Sequence, residues 1–187
     1  MIRLAMVHGE HDQRGEASVR VIPYNPEWPE LFARERALLE RELAAWLTGP
    51  IEHIGSTAVA GLLAKPVIDI MAGVADLDAS RGAIAAASGL GYVYFPYRSD
   101  VMHWFCKPSP AFRTHHLHLV PVNSRLWTER LVFRDYLRRN ATTAAEYAAL
   151  KFKLAEQYEF DREAYTDAKT PFINRIVELA LRTGAVD

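Results

Sequence analysis

The stretch PVIDIMAG, Pro66 to Gly73, constrains this chain more than any other. It is short, apolar and bounded by Pro and Gly, so it reads as a strand that both faces of a sheet must cover. It carries one acid. Side chains alternate along a strand, which puts Val67, Asp69 and Met71 on one face and Ile68 with Ile70 on the other. A carboxylate in such a run is costly to desolvate unless it is paired, holds a metal ion, or sits at a strand end bonded to loop amides.

The flanking sequence supplies the layers such a strand needs. SVRVIPY, from Ser18, reads as a short strand stopped by Pro23 and Asn25-Pro26; Trp28 to Leu47 has helical apolar spacing. Pro50 to Gly55 reads as a strand, Thr57 to Leu63 as a helical turn, and Asp76 to Ser88 as an Ala-rich helix stopped by Gly89 and Gly91. Tyr92 to Tyr97, Val101 to Lys107 and His115 to Val122 read as three more strands, the last two a hairpin around Pro108-Ser109-Pro110. Beyond Leu126 the β pattern ends, and three helices are expected, Trp127 to Arg138, Ala141 to Tyr158 and Thr170 to Arg182. The fold class is therefore α+β: a mixed sheet of about five strands with flanking helices over 17–123, and a helical tail over 124–187 that covers the sheet or closes over a site. Residues 1–16 read as an N-terminal extension, polar from Gly9 to Glu16.

Composition narrows the function. The 187 residues, 50% of them apolar, can bury one substantial core. Lys and Arg number 22 against 23 acids, a net charge of −1, which predicts no general attraction to nucleic acid or to a membrane. Any polyanion site must be local. One cysteine, Cys106, excludes an internal disulfide and a Cys-based zinc site; with an opening that resembles no signal peptide, it leads us to expect a cytoplasmic protein. The oligomeric state is open.

The residues able to do chemistry fall into three groups. Gly55-Ser56 stands where a strand meets a helical turn, a place where free backbone N–H groups and a hydroxyl either cradle phosphate or simply cap the turn. In THHLHLVP, His116 and His118 share one strand face and His115 lies on the other, so the pair can hold one ion with Asp69 or assist as acid and base. His53 and His103 are expected to be structural. Among the cations, Arg98 near the hairpin and Lys151 and Lys169 in the tail are expected to bind phosphate. Lys169 immediately precedes a helix, where the dipole gives a cation no reason to be.

These blocks carry a resemblance. YNPEWPELFARE, HIGSTAVAGLLAKPVIDI, HHLHLV, FRDYLRRN, EYAALKFKLA and YTDAKTPFI, in this order from about Val19 to Leu181, resemble the GrpB family, which usually has Pro where this chain has Ala60. GrpB proteins are grouped with the polymerase β-like nucleotidyltransferases, so the resemblance implies a nucleotidyltransferase-like core. That superfamily's pattern is a Gly-Ser turn, then Asp-x-Asp or Asp-x-Glu at a strand end, and a third acid on a neighbouring strand. The acids hold Mg²⁺, which neutralises triphosphate charge. Gly55, Ser56 and Asp69 match. The second acid is absent, since Val67 and Met71 flank Asp69 at the relevant spacing, and His116 or His118 takes the place of the third. The resemblance further implies nucleotide or coenzyme chemistry, because in some actinobacteria a GrpB-like domain is fused to dephospho-CoA kinase. The function expected is binding of a phosphorylated nucleotide or coenzyme-related molecule, with metal-assisted nucleotidyl transfer by Asp69, His116 and His118 and Mg, Mn or Zn as the ion. Two alternatives stand beside it: a non-catalytic nucleotide-binding module, and a two-His, one-carboxylate hydrolase or lyase.

Overall fold

The computed structural model describes residues 18–184; the extension at 1–16 lies outside them. Helix α1 (Trp28–Glu42) starts at a Pro-containing first turn, preceded by Asn25, whose side-chain oxygen accepts from the Glu27 amide. There follow β1 (Leu47–Ile54), a 3₁₀ turn at Ser56–Ala58, β2 (Ile68–Val74), α2 (Gly82–Gly89), β3 (Val93–Phe95), β4 (His103–Pro108) and β5 (Arg113–Pro121). The tail holds α3 (Arg125–Arg139), α4 (Ala141–Gln157), α5 (Arg162–Asp167) and α6 (Thr170–Thr183). The sheet order is β1-β2-β5-β4-β3, with β2 and β5 parallel and the other pairs antiparallel. It is the mixed five-stranded sheet expected.

Strand alternation gives the sheet two buried faces. Ile68, Ile70, Ala72, Val74, Phe105, Leu117 and Leu119 point to one, against Leu39 of α1, Leu43, and Ala83 and Ala87 of α2. Full burial of each large apolar side chain here contributes about 1.5–3 kcal/mol. Met71, Ile54 and Val120 point to the other, where Leu126 and Trp127 of α3 cover them. The tail thus packs on the face that carries Asp69. Its own helices close through Val132, Val177 and Ala180, and α4 and α6 reach the segment after the 3₁₀ turn through Val59, Leu62, Tyr147 and Phe172. No helix among the described residues is long and apolar enough to cross a membrane.

Four local expectations need correction. Ser18 to Tyr24 is extended but makes only one isolated bridge, Ile22 with Ala64, because Pro23 and Pro66 remove the donors that would lengthen the ladder. α1 ends at Glu42, and β1 begins earlier than expected, with an irregularity between Leu47 and Ile51 around Gly49-Pro50. The segment from Asp76 is a turn before α2, since the Asp76 carboxylate accepts from the Ala79 amide at 2.7 Å and closes a non-helical loop. The tail also has an extra short helix, α5, capped by Asp161, whose side chain accepts from the Ala164 amide.

Candidate functional site

The register of the two parallel strands builds the site. Asp69 is paired with His116, and Met71 with His118. Neighbours on one face of a sheet converge, so Asp69, His116 and His118 place one ligand atom each within 4.8 Å of one another. His116 Nδ1 is 2.9 Å from Asp69 Oδ1. A carboxylate only accepts, so Nδ1 donates, and in the neutral imidazole Nε2 is left as a lone pair. His118 Nδ1 lies 3.4 Å from Met102 Sδ, a weak acceptor, and its Nε2 stands 4.0 Å from the same Asp69 oxygen, beyond hydrogen-bond reach.

Electrostatics follow from this geometry. Burial works to raise the Asp69 pKa, and the His116 hydrogen bond, with His118 beside it, overcomes this and holds the carboxyl well below the usual carboxylate range. Burial pushes His118 down, against the pull of Asp69, so its imidazole favours the neutral form. The Nε2 atoms of both histidines are buried without a hydrogen-bond partner among the described residues. Orphaned polar atoms of this kind are rare in folded chains, and two imidazole nitrogens beside a carboxylate are a donor set for Mn²⁺, Fe²⁺ or Zn²⁺. The residues fit a divalent metal.

The Gly55-Ser56 turn abuts the same carboxylate. Gly55 has φ 70° and ψ −170°, a region essentially restricted to glycine, and a Cβ there would lie 2.4 Å from Asp69 Oδ2. Ser56 sits beside the Tyr147 hydroxyl. Behind the turn, His53 is buried, stacked on Phe32, with Nε2 3.0 Å from Thr57 Oγ1, which in turn donates to the Val67 carbonyl. Burial pushes His53 down to about 4. Two arginines of α3 pin the turn from the tail: Arg134 bonds the His53 carbonyl and Glu52, and Arg138 the Ala58 carbonyl.

The three expected phosphate cations have different surroundings. Lys169, at the start of α6, holds its ammonium 4.1 Å from the centre of the Tyr165 ring; burial, with Lys65 and Arg130 nearby, pushes it down to about 7, against the attraction of Asp69. Lys65 approaches the same ring, at 5.5 Å. Lys151 is 2% exposed; its ammonium donates to the Leu63 carbonyl over the Tyr147 ring, so it ties down the loop before β2 rather than lining the cleft. Burial and Lys169 bring it to about 7. Arg98 is exposed in the β3–β4 turn, at φ 49°, where its carbonyl accepts from the Val101 and Met102 amides; the structure does not bring it to the donor set.

Sequence reasoning missed Lys65, Arg130, Tyr147 and Tyr165. Lys65 could have been found, because it stands two residues before the strand of Asp69 begins to be apolar on both sides. Arg130 carries no such signal: along α3 it looks like any solvated helix position.

A GrpB protein family model matches residues 18–179. The chain is 40% identical over 167 residues to a UPF0157 protein of Pseudomonas aeruginosa, covering 87% of this chain and 68% of that one. It superimposes on the crystal structure of the conserved protein GrpB from Enterococcus faecalis with a TM-score of 0.79 and 32% identity, covering 88% of this chain and 98% of that one. A dephospho-CoA kinase of Mycolicibacterium paratuberculosis is 28% identical over 86% of this chain, which spans 45% of that enzyme. With the family model spanning nearly the whole described structure and a GrpB crystal structure sharing its fold, the chain belongs to the GrpB family.

Proposed function

We propose that this protein binds a phosphorylated nucleotide in the cleft of Asp69, His116 and His118 and, with a divalent metal there, transfers a nucleotidyl group. The observation that supports this most is the meeting of two opposite features on one side of the sheet. Asp69, His116 and His118 bring one ligand atom each within 4.8 Å of one another, and Lys65 and Arg130 stand close enough to act on Lys169. Cations gathered near a carboxylate in a protein of net charge −1 suit an anionic ligand. Asp69, His116 and His118 would hold the ion, and a bound divalent ion would offset phosphate charge in the transition state. The Gly55 backbone and Ser56 would receive phosphate, Lys169 would pair with it, and His116, oriented by Asp69 through Nδ1, would present Nε2 to the ion. A coenzyme-related nucleotide such as dephospho-CoA is a natural candidate, given the kinase whose sequence this chain resembles.

One observation favours a second reading. Met71, where a second acid would sit, is fully buried in the apolar cluster under α3, so two-Mg²⁺ transfer lacks its usual ligands. A two-His, one-carboxylate site that hydrolyses a phosphate ester with Mn²⁺, Fe²⁺ or Zn²⁺ suits the same donor set. A thermal-shift screen of nucleotides and coenzyme A precursors, with and without Mg²⁺ or Mn²⁺, tests binding, and release of pyrophosphate or of inorganic phosphate then separates the readings. Stabilisation by nucleotide plus metal, with pyrophosphate released, is the expected result. Stabilisation without either product marks a non-catalytic binder; no stabilisation by any phosphorylated compound sinks the proposal.

A further inference from the structure

Two cross-strand rows lead away from the metal donors toward the open edge of the sheet. In one, Asp69 pairs with His116, His116 with Cys106 and Cys106 with Val93; in the next, Met71 pairs with His118, His118 with Trp104 and Trp104 with Phe95. Paired residues share a face. Trp104 and Phe95 therefore stand on the same side of the sheet as the donor set, one and two strands out, and β3 is the edge strand.

Their rings form a continuous shelf. Trp104 lies 5.0 Å from the His116 ring, 5.8 Å from Phe95 and 6.2 Å from Tyr97, centre to centre, and the Arg113 guanidinium sits 5.4 Å from the Trp104 ring centre. Tyr97 is 48% exposed, and Phe112, in the hairpin that precedes Arg113, is 64% exposed. Helix α3 packs on β1 and β5, and its Leu126 and Trp127 belong to the apolar cluster against which one side of Trp104 packs. The two lysines lie elsewhere: Lys169 and Lys65 meet at Tyr165. The site thus has a charged end built by the tail and an aromatic end built by β3 and β4, with Asp69, His116 and His118 between them.

A molecule that matches both ends carries phosphate at one end and a flat ring at the other. We propose that the shelf of Trp104, Phe95 and Tyr97 receives the base of the nucleotide whose phosphates occupy the Asp69 cleft, a proposal that rests on the reading of the site given above. Bases stack on aromatic side chains and on guanidinium planes whatever their identity, so the shelf gives affinity with modest preference among bases.

Titration of ATP and of inorganic tripolyphosphate, each with Mn²⁺, into wild type and two variants tests this. Wild type should bind ATP about tenfold tighter than tripolyphosphate, a gap of ~1.4 kcal/mol. Trp104→Leu should close most of that gap and leave tripolyphosphate binding unchanged. Tyr97→Ala removes a half-exposed ring outside the core and should narrow the gap without touching the fold. Equal wild-type affinity for the two ligands overturns the shelf while leaving the phosphate site standing, as does equal weakening of both ligands in the variants. If wild type binds neither, the phosphate reading has failed and the shelf falls with it.

Discussion

His116 Nδ1 and Asp69 Oδ1 lie 2.9 Å apart on adjacent parallel strands, and this contact makes Nδ1 the donor and is the largest of the interactions that hold the acid ionised. It turns the His116 Nε2 lone pair away from Asp69, the arrangement seen where a carboxylate orients a metal-binding histidine. Asp69→Asn keeps the shape and removes the charge. Its content of Mn, Fe or Zn after purification, measured by elemental analysis, should fall about 10–100-fold relative to wild type. Equal metal in the two samples would remove Asp69 as a ligand.

Gly55→Ala introduces a Cβ 2.4 Å from Asp69 Oδ2 at a backbone conformation with φ 70°. The backbone alone costs on the order of 1–3 kcal/mol, and relief of the clash must displace the carboxylate. Urea denaturation should show that loss of stability, and nucleotide-induced stabilisation should vanish with it. A variant as stable as wild type would mean that the turn has room the structure does not show.

Lys169 sits among Lys65, Arg130 and the Tyr165 ring, with its pKa pushed down to about 7. Lys169→Ala should lose about 1.5–3 kcal/mol of nucleotide binding, the worth of a charge-assisted contact, with little change in stability. The sign of the pH effect follows: the ammonium discharges as pH rises above about 7, so wild-type affinity should decline between roughly pH 7 and pH 9. In Lys169→Arg, whose guanidinium stays charged, the decline should flatten. Unchanged affinity and an unchanged salt dependence in Lys169→Ala would leave the residue a structural role only.

His53 is buried and neutral, its pKa lowered from 6.5 to about 4 by burial. The unfolded chain takes up a proton first as pH falls, so this stabilising contribution is complete above pH 6.5 and drains away toward pH 4. Between pH 7 and pH 4.5 the wild type should lose about 2–3 kcal/mol on this account. His53→Gln, compared by urea denaturation at both pH values, should show a smaller drop by that amount. An identical drop in the variant would place the acid sensitivity elsewhere.

How far the sequence reached is clear from particular residues. Alternation around Asp69 separated Ile68 and Ile70 from the acid, and the spacing of His116 and His118 put both imidazoles on one face; these are local geometric rules, and they hold wherever a strand forms. The strand pattern before Val122, the helical pattern after Leu126 and the Gly55-Ser56 turn were legible for the same reason. The pairing of β2 with β5 was not, because register and parallel orientation depend on how a crossover of some forty residues packs, and that alone put His116 beside Asp69. The cations divided the same way. Lys151, Lys169 and Arg98 look alike in a sequence, yet the fold gave the first a carbonyl to hold, set the second beside Lys65 and Arg130, and left the third in an exposed turn. A charge takes its meaning from its neighbours in space, and burial, which decides both pKa and partner, is a property of the packed tail that no local window of residues contains.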